Sequence, residues 1–180
     1  ITYINATNAK NTAFKNKKVT QLDNKISYGQ PGFSCQISAL FAEAIRQSTK
    51  ADLALHGRFV RKSLQGQITE QDLFDICPYE NTIFTADLTL DELKITIKEQ
   101  LTQLKSYSFN APYGLQVSLD SKNRILKLIL PKHLQDQKRF KVAFNSRLAA
   151  DGGGRFPIFK KIISQSAAKL TEHSTTTRQA

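Results

Sequence analysis

Apolar and polar positions follow two rhythms along the chain, and the switches between them outline its elements. Ile37, Leu40, Phe41, Ala44 and Ile45 recur at the three-to-four spacing of an amphipathic helix, with Ser34 as its expected N-cap and Thr49 near its end. Leu53-Ala54-Leu55 reads as a short buried strand that His56-Gly57 terminates. Thr69 followed by Asp72 has capping-box spacing and opens a short helix, Gln71 to Asp75, which Pro78 stops. From Asn81 to Leu88, Ile83, Thr85 and Asp87 alternate with Phe84, Ala86 and Leu88, the period of a strand. Thr89 and Glu92 form a second capping box, and Leu93, Ile97, Leu101 and Leu104 give the following helix one apolar stripe as far as Lys105.

The later chain is more broken. Ser106 to Tyr113 is an aromatic-rich loop. Leu115 to Leu119 and Ile125 to Leu130 read as paired strands joined by Asp120-Ser121-Lys122-Asn123, and Phe140 to Phe144 as a further strand. Gly152-Gly153-Gly154 is a loop whose backbone can approach a ligand or adopt positive φ. Ile158 to Leu170 is the last predicted helix, and Thr171 to Ala180 a polar, frayed tail. At the other end, residues 1–18 read as an extended lead-in, Val19 to Asp23 and Ile26 to Tyr28 as short strands, and Gly29-Gln30-Pro31-Gly32 as a turn. The chain therefore divides into a lead-in or interdomain segment over 1–30, a folded domain over 31–170 and a tail over 171–180. Interleaved helices and strands with hairpin connections predict an α+β (mixed α/β) fold, a mixed sheet flanked by helices.

Composition narrows the function. A chain of 180 residues suits one good core. Lys and Arg outnumber Asp and Glu by 26 to 15, which favours an anionic partner. The cations are scattered from Lys10 to Arg178 without interleaved aromatics, so nucleic acid is not the partner this pattern points to. No apolar run approaches the ~20 residues of a membrane span. With no Met at any position, the chain reads as a piece of a longer protein. Cys35 and Cys77 have no metal-ligand spacing and leave open one disulfide or two buried thiols. The three histidines, His56, His133 and His173, lie far apart, with no His/Asp cluster that could hold a metal.

A candidate ligand edge emerges where the strand ending at Gly57 leads to Arg61 and, one helix later, to Pro78-Tyr79-Glu80-Asn81-Thr82. In order, Leu40-Phe41-Ala42-Glu43-Ala44-Ile45-Arg46, Ala51-Asp52-Leu53-Ala54-Leu55, Val60-Arg61, Gly66-Gln67-Ile68-Thr69, Pro78 to Thr82, Leu88 to Leu93 and Val142-Ala143-Phe144-Asn145 leading to Gly152-Gly153-Gly154-Arg155-Phe156-Pro157 resemble the C-terminal domain of the 5'-nucleotidase family. That family includes UDP-sugar hydrolases, ecto-5'-nucleotidases and 2',3'-cyclic-nucleotide 2'-phosphodiesterase/3'-nucleotidases. The resemblance covers residues 34 to 163 and implies a nucleotide-recognition domain of a periplasmic or extracellular hydrolase. It also implies a covalently linked N-terminal metallophosphoesterase domain carrying the divalent metal ions and the catalytic dyad. No catalytic or metal residue is then expected in this chain.

Residue by residue, the resemblance gives Arg61 a contact with substrate oxygens, a task suited to the guanidinium fork. It makes Tyr79 one plate of a base sandwich, Asn81 a loop brace or ligand contact, and Gly152, Gly153 and Gly154 the close-approach loop. The second plate falls near Arg147 or Leu148, neither of them aromatic; Arg147 could lie flat on a base, with Phe144 or Phe156 as substitutes. Departures stand beside these matches: Gly57-Arg58-Phe59 adds bulk and charge where the family has Asn-Gly-Gly, and Glu80 replaces a glycine. The plain Gly-Gly-Gly-x-Phe-Pro form is closer to the cyclic-phosphodiesterase branch. The alternative is a degenerate, non-catalytic module that keeps the fold and binds anionic partners.

Overall fold

A computed structural model of the chain describes residues 12–180; most of the expected lead-in, residues 1–11, lies outside them. Its centre is a five-stranded mixed sheet of β2 (Leu53–His56), β4 (Thr82–Leu88), β5 (Ala111–Tyr113), β8 (Phe140–Asn145) and β9 (Thr171–Thr176) in the order β5-β2-β8-β4-β9. β2 and β8 run parallel, with Leu53 opposite Val142, and every other pairing is antiparallel. This topology gathers the chemistry at one end. The C-terminal ends of β2 and β8 meet the N-terminal ends of β4 and β5 there, as the registers His56 to Ala111 and Ile83 to Asn145 require.

Strand alternation sorts the two faces. Leu53, Leu55, Ala86, Leu88, Val142 and Phe144 point to one side, where they pack with Leu93 and Ile97 of α3 (Leu90–Leu101) and with Phe159 of α5 (Pro157–Ile163). Ala54, Ala143 and Ile83 point to the other, under Ala42 and Ile45 of α1 (Gln36–Thr49). Two alanines side by side let α1 lie close to the sheet, while the bulk is concentrated on the opposite face. A third cluster holds Cys35, Ile37, Phe41, Leu64, Ile68, Ile76 and Cys77 between α1, β3 (Leu64–Thr69) and α2 (Glu70–Ile76).

Both predicted capping boxes are present: Thr69 with Asp72 opens α2, and Thr89 with Glu92 opens α3. The first helix starts differently from expectation. Its N-cap is Cys35, not Ser34, and it makes no side-chain cap; the Cys35 thiol instead donates to the Tyr28 carbonyl at 2.9 Å. Both cysteines are free and buried, which decides for two thiols and against a bridge, and burial pushes the Cys77 thiol up to about 11.

Three boundaries are corrected. β1 (Lys18–Ile26) is one strand paired antiparallel with β3, so residues 18–26 of the segment assigned to a lead-in belong to the fold. The last helix stops at Ile163, and a single 3₁₀ turn, Ser166–Ala168, follows before Lys169 takes a left-handed φ of 46°. The supposed frayed tail is β9, which pairs with β4 and anchors itself through Thr82 Oγ1 donating to Glu172 and a Thr85–His173 contact at 3.0 Å. Its polar, threonine-rich composition is that of a sheet edge facing water.

Helix α5 has no side-chain cap of its own. Glu99 of α3, almost fully buried, reaches across and accepts from the backbone N–H of Ile158 at 2.7 Å and of Phe159 at 2.9 Å. A buried carboxylate taking two amides at a helix N-terminus is worth more than an ordinary surface cap. Glu99→Ala should therefore lower stability by about 2 to 3 kcal/mol, against about 1 kcal/mol for Thr89→Ala. Urea unfolding followed by circular dichroism makes the comparison, and equal losses would contradict this account of α5.

Candidate functional site

The sheet end described above carries a cleft lined by Gly57, Arg58 and Phe59 after β2, by Tyr107, Ser108 and Asn110 before β5, and by Asn145 at the end of β8 with Arg147, Leu148, Gly152 and Phe156 beyond it. Three chain segments thus converge on it. Gly57 is required by close packing of the first two, since a Cβ there would lie 2.6 Å from the Phe109 carbonyl oxygen.

A buried hydrogen-bond chain fixes the walls. Asn145 caps α4 (Ser146–Ala149), its Oδ1 accepting from the Leu148 N–H at 3.0 Å. The Asn145 amide then donates to His56 Nε2 at 3.2 Å, and His56 Nδ1 donates to the Gly57 carbonyl. These roles are mutually consistent for one neutral tautomer only. His56 is fully buried between the rings of Phe41 and Phe59, at 5.1 and 5.3 Å, and burial pushes its pKa down to about 4.

The residues that depart from the family pattern shape the cleft. Phe59 lies edge-on to His56 and against Phe41, part of the wall rather than a free plate. Arg58 is buried: its Nη1 donates to the carbonyls of Tyr28, at 2.8 Å, and Gly29, while the guanidinium sits 5.3 Å from the Tyr28 ring centroid and 4.9 Å from that of Tyr107. Its Nε has no partner among the described residues. Arg61 approaches the same Tyr107 ring at 5.3 Å, so one tyrosine is held by two cations.

Of the residues singled out in the sequence, Arg147, Gly152 and Phe156 line the cleft, and Arg61, Tyr79, Asn81, Gly153 and Gly154 do not. Arg61 and Tyr79 stand one ring behind it, Arg61 through Tyr107 and Tyr79 through Phe59, whose centroid is 5.6 Å from that of Tyr79. Asn81 braces through its backbone, its carbonyl accepting from the Thr177 N–H at 2.9 Å. Phe156 is buried in the main core, and Phe144 is buried against Phe159, so neither is a free stacking surface. Glu80 pairs with Arg178, which also donates to the Cys77 carbonyl at 3.1 Å and lies over Phe74, tying the aromatic loop to the C-terminal segment.

The glycine loop is turned on itself. Asp151, Gly152, Gly153 and Gly154 all have φ between 60° and 81°. Gly152 N–H donates to the Arg147 carbonyl at 2.8 Å and Gly154 N–H to Asp151 Oδ1 at 2.6 Å. The Gly154 amide, with help from Lys160, holds the Asp151 carboxyl below the usual carboxylate range. At Gly152 a Cβ would stand 2.6 Å from the Phe156 ring, so glycine is needed there for space as well as for its φ of 60°. Sequence reasoning missed Tyr107 and Asn110 and treated Arg58 and Phe59 only as obstructions. Tyr107 was signalled by its aromatic loop; nothing in the sequence period marked which ring faces the cleft.

His56 sets a pH dependence. Its folded pKa, about 4, lies below the unfolded value of 6.5. The unfolded chain therefore takes the proton first, and stability present above pH 6.5 is lost as pH falls toward 4. The loss is about 3 kcal/mol at most. The lowered carboxylates Asp72 and Asp75 act at lower pH, below the ordinary aspartate value of 3.8. Urea unfolding at pH 7 and pH 4.5 should show a steep loss in the wild type and a flatter one in His56→Gln.

Comparison with known proteins supplies the family. The sequence matches the family described as 5'-nucleotidase, C-terminal domain, over residues 15–161. No curated protein matches it. Among solved structures it is similar to a 5'-nucleotidase precursor from Thermus thermophilus (TM-score 0.77, 15% identity, 98% of this chain and 38% of that one). It is also similar to the NAD nucleotidase of Haemophilus influenzae (TM-score 0.74, 17% identity, 97% and 36%) and to a sulfate thiohydrolase of Thermus thermophilus solved with glycerol (TM-score 0.63, 15% identity, 83% and 31%). The chain spans less than two-fifths of the length of each, and at these identities the likeness shows the fold. With the family match covering most of the sequence, the chain belongs to the 5'-nucleotidase C-terminal domain family.

Proposed function

We propose that this chain is the nucleotide-recognition part of an exported 5'-nucleotidase-type hydrolase, holding a nucleotide at the sheet end while a separate metallophosphoesterase domain hydrolyses the phosphate ester. The observation that carries this reading is the meeting of one exposed ring, Tyr107, with two guanidinium groups, Arg58 and Arg147, in one cleft. A ring face suits a base and a guanidinium suits phosphate oxygens. Arg58 is already engaged by two carbonyls, so Arg147, exposed and with no ion pair among the described residues, is the cation available to phosphate.

Metal chemistry is assigned elsewhere in this reading. Among the described residues no group of three or more His, Cys, Asp or Glu could hold a metal ion. His56 has both ring nitrogens engaged and His173 is bonded to Thr85. The divalent ions would belong to the linked domain, and export to the periplasm or beyond follows the family. No helix of the described residues is long and apolar enough to cross a membrane. Mononucleotides and 2',3'-cyclic nucleotides are the substrates to compare.

The cleft holds only about 30 Å³, roughly the share of one water, whereas ligand pockets run to ~300 Å³ or more. A nucleoside enters only if Tyr107, 43% exposed on its loop, swings aside. Calorimetric titration of the chain with adenosine, AMP and 2',3'-cyclic AMP tests this. Arg147→Ala should weaken AMP but not adenosine, Tyr79→Ala should change neither much, and Tyr107→Ala, which removes both the stacking ring and the ring that has to move, should change adenosine affinity by only ~1 kcal/mol or less. Equal AMP affinity in wild type and Arg147→Ala would remove the phosphate contact on which this reading depends.

A second reading, the fold kept as a non-catalytic module for anionic partners, is favoured by the same small cleft and by the self-bonded glycine loop. It predicts no nucleotide preference and steeply salt-dependent binding to unrelated polyanions.

A further inference from the structure

Away from the cleft, β7 (Ile125–Ile129) pairs on one side only, with β6 (Gln116–Leu119), in a two-stranded sheet of its own. An open groove of about 710 Å³ separates it from α3. Ile125, Leu126, Lys127 and Leu128 are consecutive, and all four line that groove. Successive side chains of a strand point to opposite faces, so a groove touching four in a row runs along the strand's edge. The edge facing α3 is therefore the unpaired one.

The groove has an apolar floor and a cationic rim. Ile95 of α3 and Leu126 of β7 are 46% and 68% exposed, large aliphatic side chains left in water across from each other. Lys94, Lys98, Lys122, Arg124 and Lys127 surround them, and no Asp or Glu is among the lining residues. Lys94 is paired with Asp91 and Arg124 with Asp120, while Lys98, Lys122 and Lys127 have no ion pair among the described residues.

A free edge beside exposed aliphatics invites strand addition, and lysines along it are a common guard. A second copy of this chain would bring the same cations face to face. A strand carrying carboxylates would meet them as attraction. We propose that the free edge of β7 is a docking site for an acidic, extended segment of another protein, which adds as a third strand to β6–β7 and lays alternate apolar side chains on Ile95 and Leu126. The five residues of β7 span roughly 17 Å, enough for a partner strand of about the same length.

The test uses the 180-residue chain and a capped peptide of about eight residues alternating Glu and Val. Amide exchange by NMR should show new protection of β7 amides when the peptide is added, with fluorescence anisotropy giving the affinity. The double variant Lys98→Glu/Lys127→Glu should bind about tenfold or more weakly, and Leu126→Ser should also bind more weakly, both with an unchanged circular dichroism spectrum. Equal binding of a Lys/Val peptide would overturn the proposal. So would binding without β7 protection, dimerisation of the chain through this face, or attachment of the face to phosphatidylserine vesicles in preference to the peptide.

Discussion

The contact between the Asn145 amide and His56 Nε2 joins the ends of the two parallel strands, β2 and β8, at the point where both leave the sheet. Much of the cleft's two main walls follows from it along the chain. Arg58 and Phe59 come directly after His56-Gly57, Arg147 and Leu148 come just after Asn145, and the turn that α4 begins then brings in Gly152 and Phe156. The contact works only while the imidazole is neutral, because a protonated Nε2 would meet the Asn145 amide donor to donor. Full burial against Phe41 and Phe59 keeps it neutral. The rings that form the wall thus also fix the protonation state that holds it.

From that constraint comes the placement of Arg58. A guanidinium in a wall without anionic partners has a large desolvation cost, and here two carbonyls and two tyrosine rings offset it. One of those carbonyls, and one of the rings, belongs to Tyr28, in the segment that connects β1 to α1. That connecting segment is therefore part of the cleft's support, and the family match, which begins at residue 15, includes it.

How much of this the sequence showed depends on whether the signal was periodic. The helices behind Thr69 and Thr89, the alternation of β4 and the β6–β7 hairpin are each written in local spacing, and each is where it was expected. β9 escaped because a polar edge strand has no apolar face to alternate, and β1 reads as two short strands because the pairing with β3 that unites them lies about 40 to 50 residues on. At the cleft, the loop that follows β8 brings in Arg147, Gly152 and Phe156, whereas Tyr79 and Arg61 stand one ring behind it. Loop side chains have no period, so which of Phe59 or Tyr79 faces the hollow is decided by the His56 wall and not by the residues' own neighbourhood.

On the proposed reading, the filled cleft is a matter of magnitude. Tyr107 is held by two cation–π contacts, Arg58 at 4.9 Å and Arg61 at 5.3 Å. Contacts of this kind at a partly exposed ring are worth ~0.5 to 1 kcal/mol each, so swinging the ring out costs about 1 to 2 kcal/mol. A base stacked on an aromatic ring returns ~1 to 3 kcal/mol. The two are of the same size, so the closed ring lowers affinity by roughly tenfold without abolishing it. Arg58 therefore does not by itself make the site dead: its charge is taken up by carbonyls, its bulk is carried by the wall, and what it adds is a modest threshold that a ligand with both a ring and an anion can cross more easily than one with either alone.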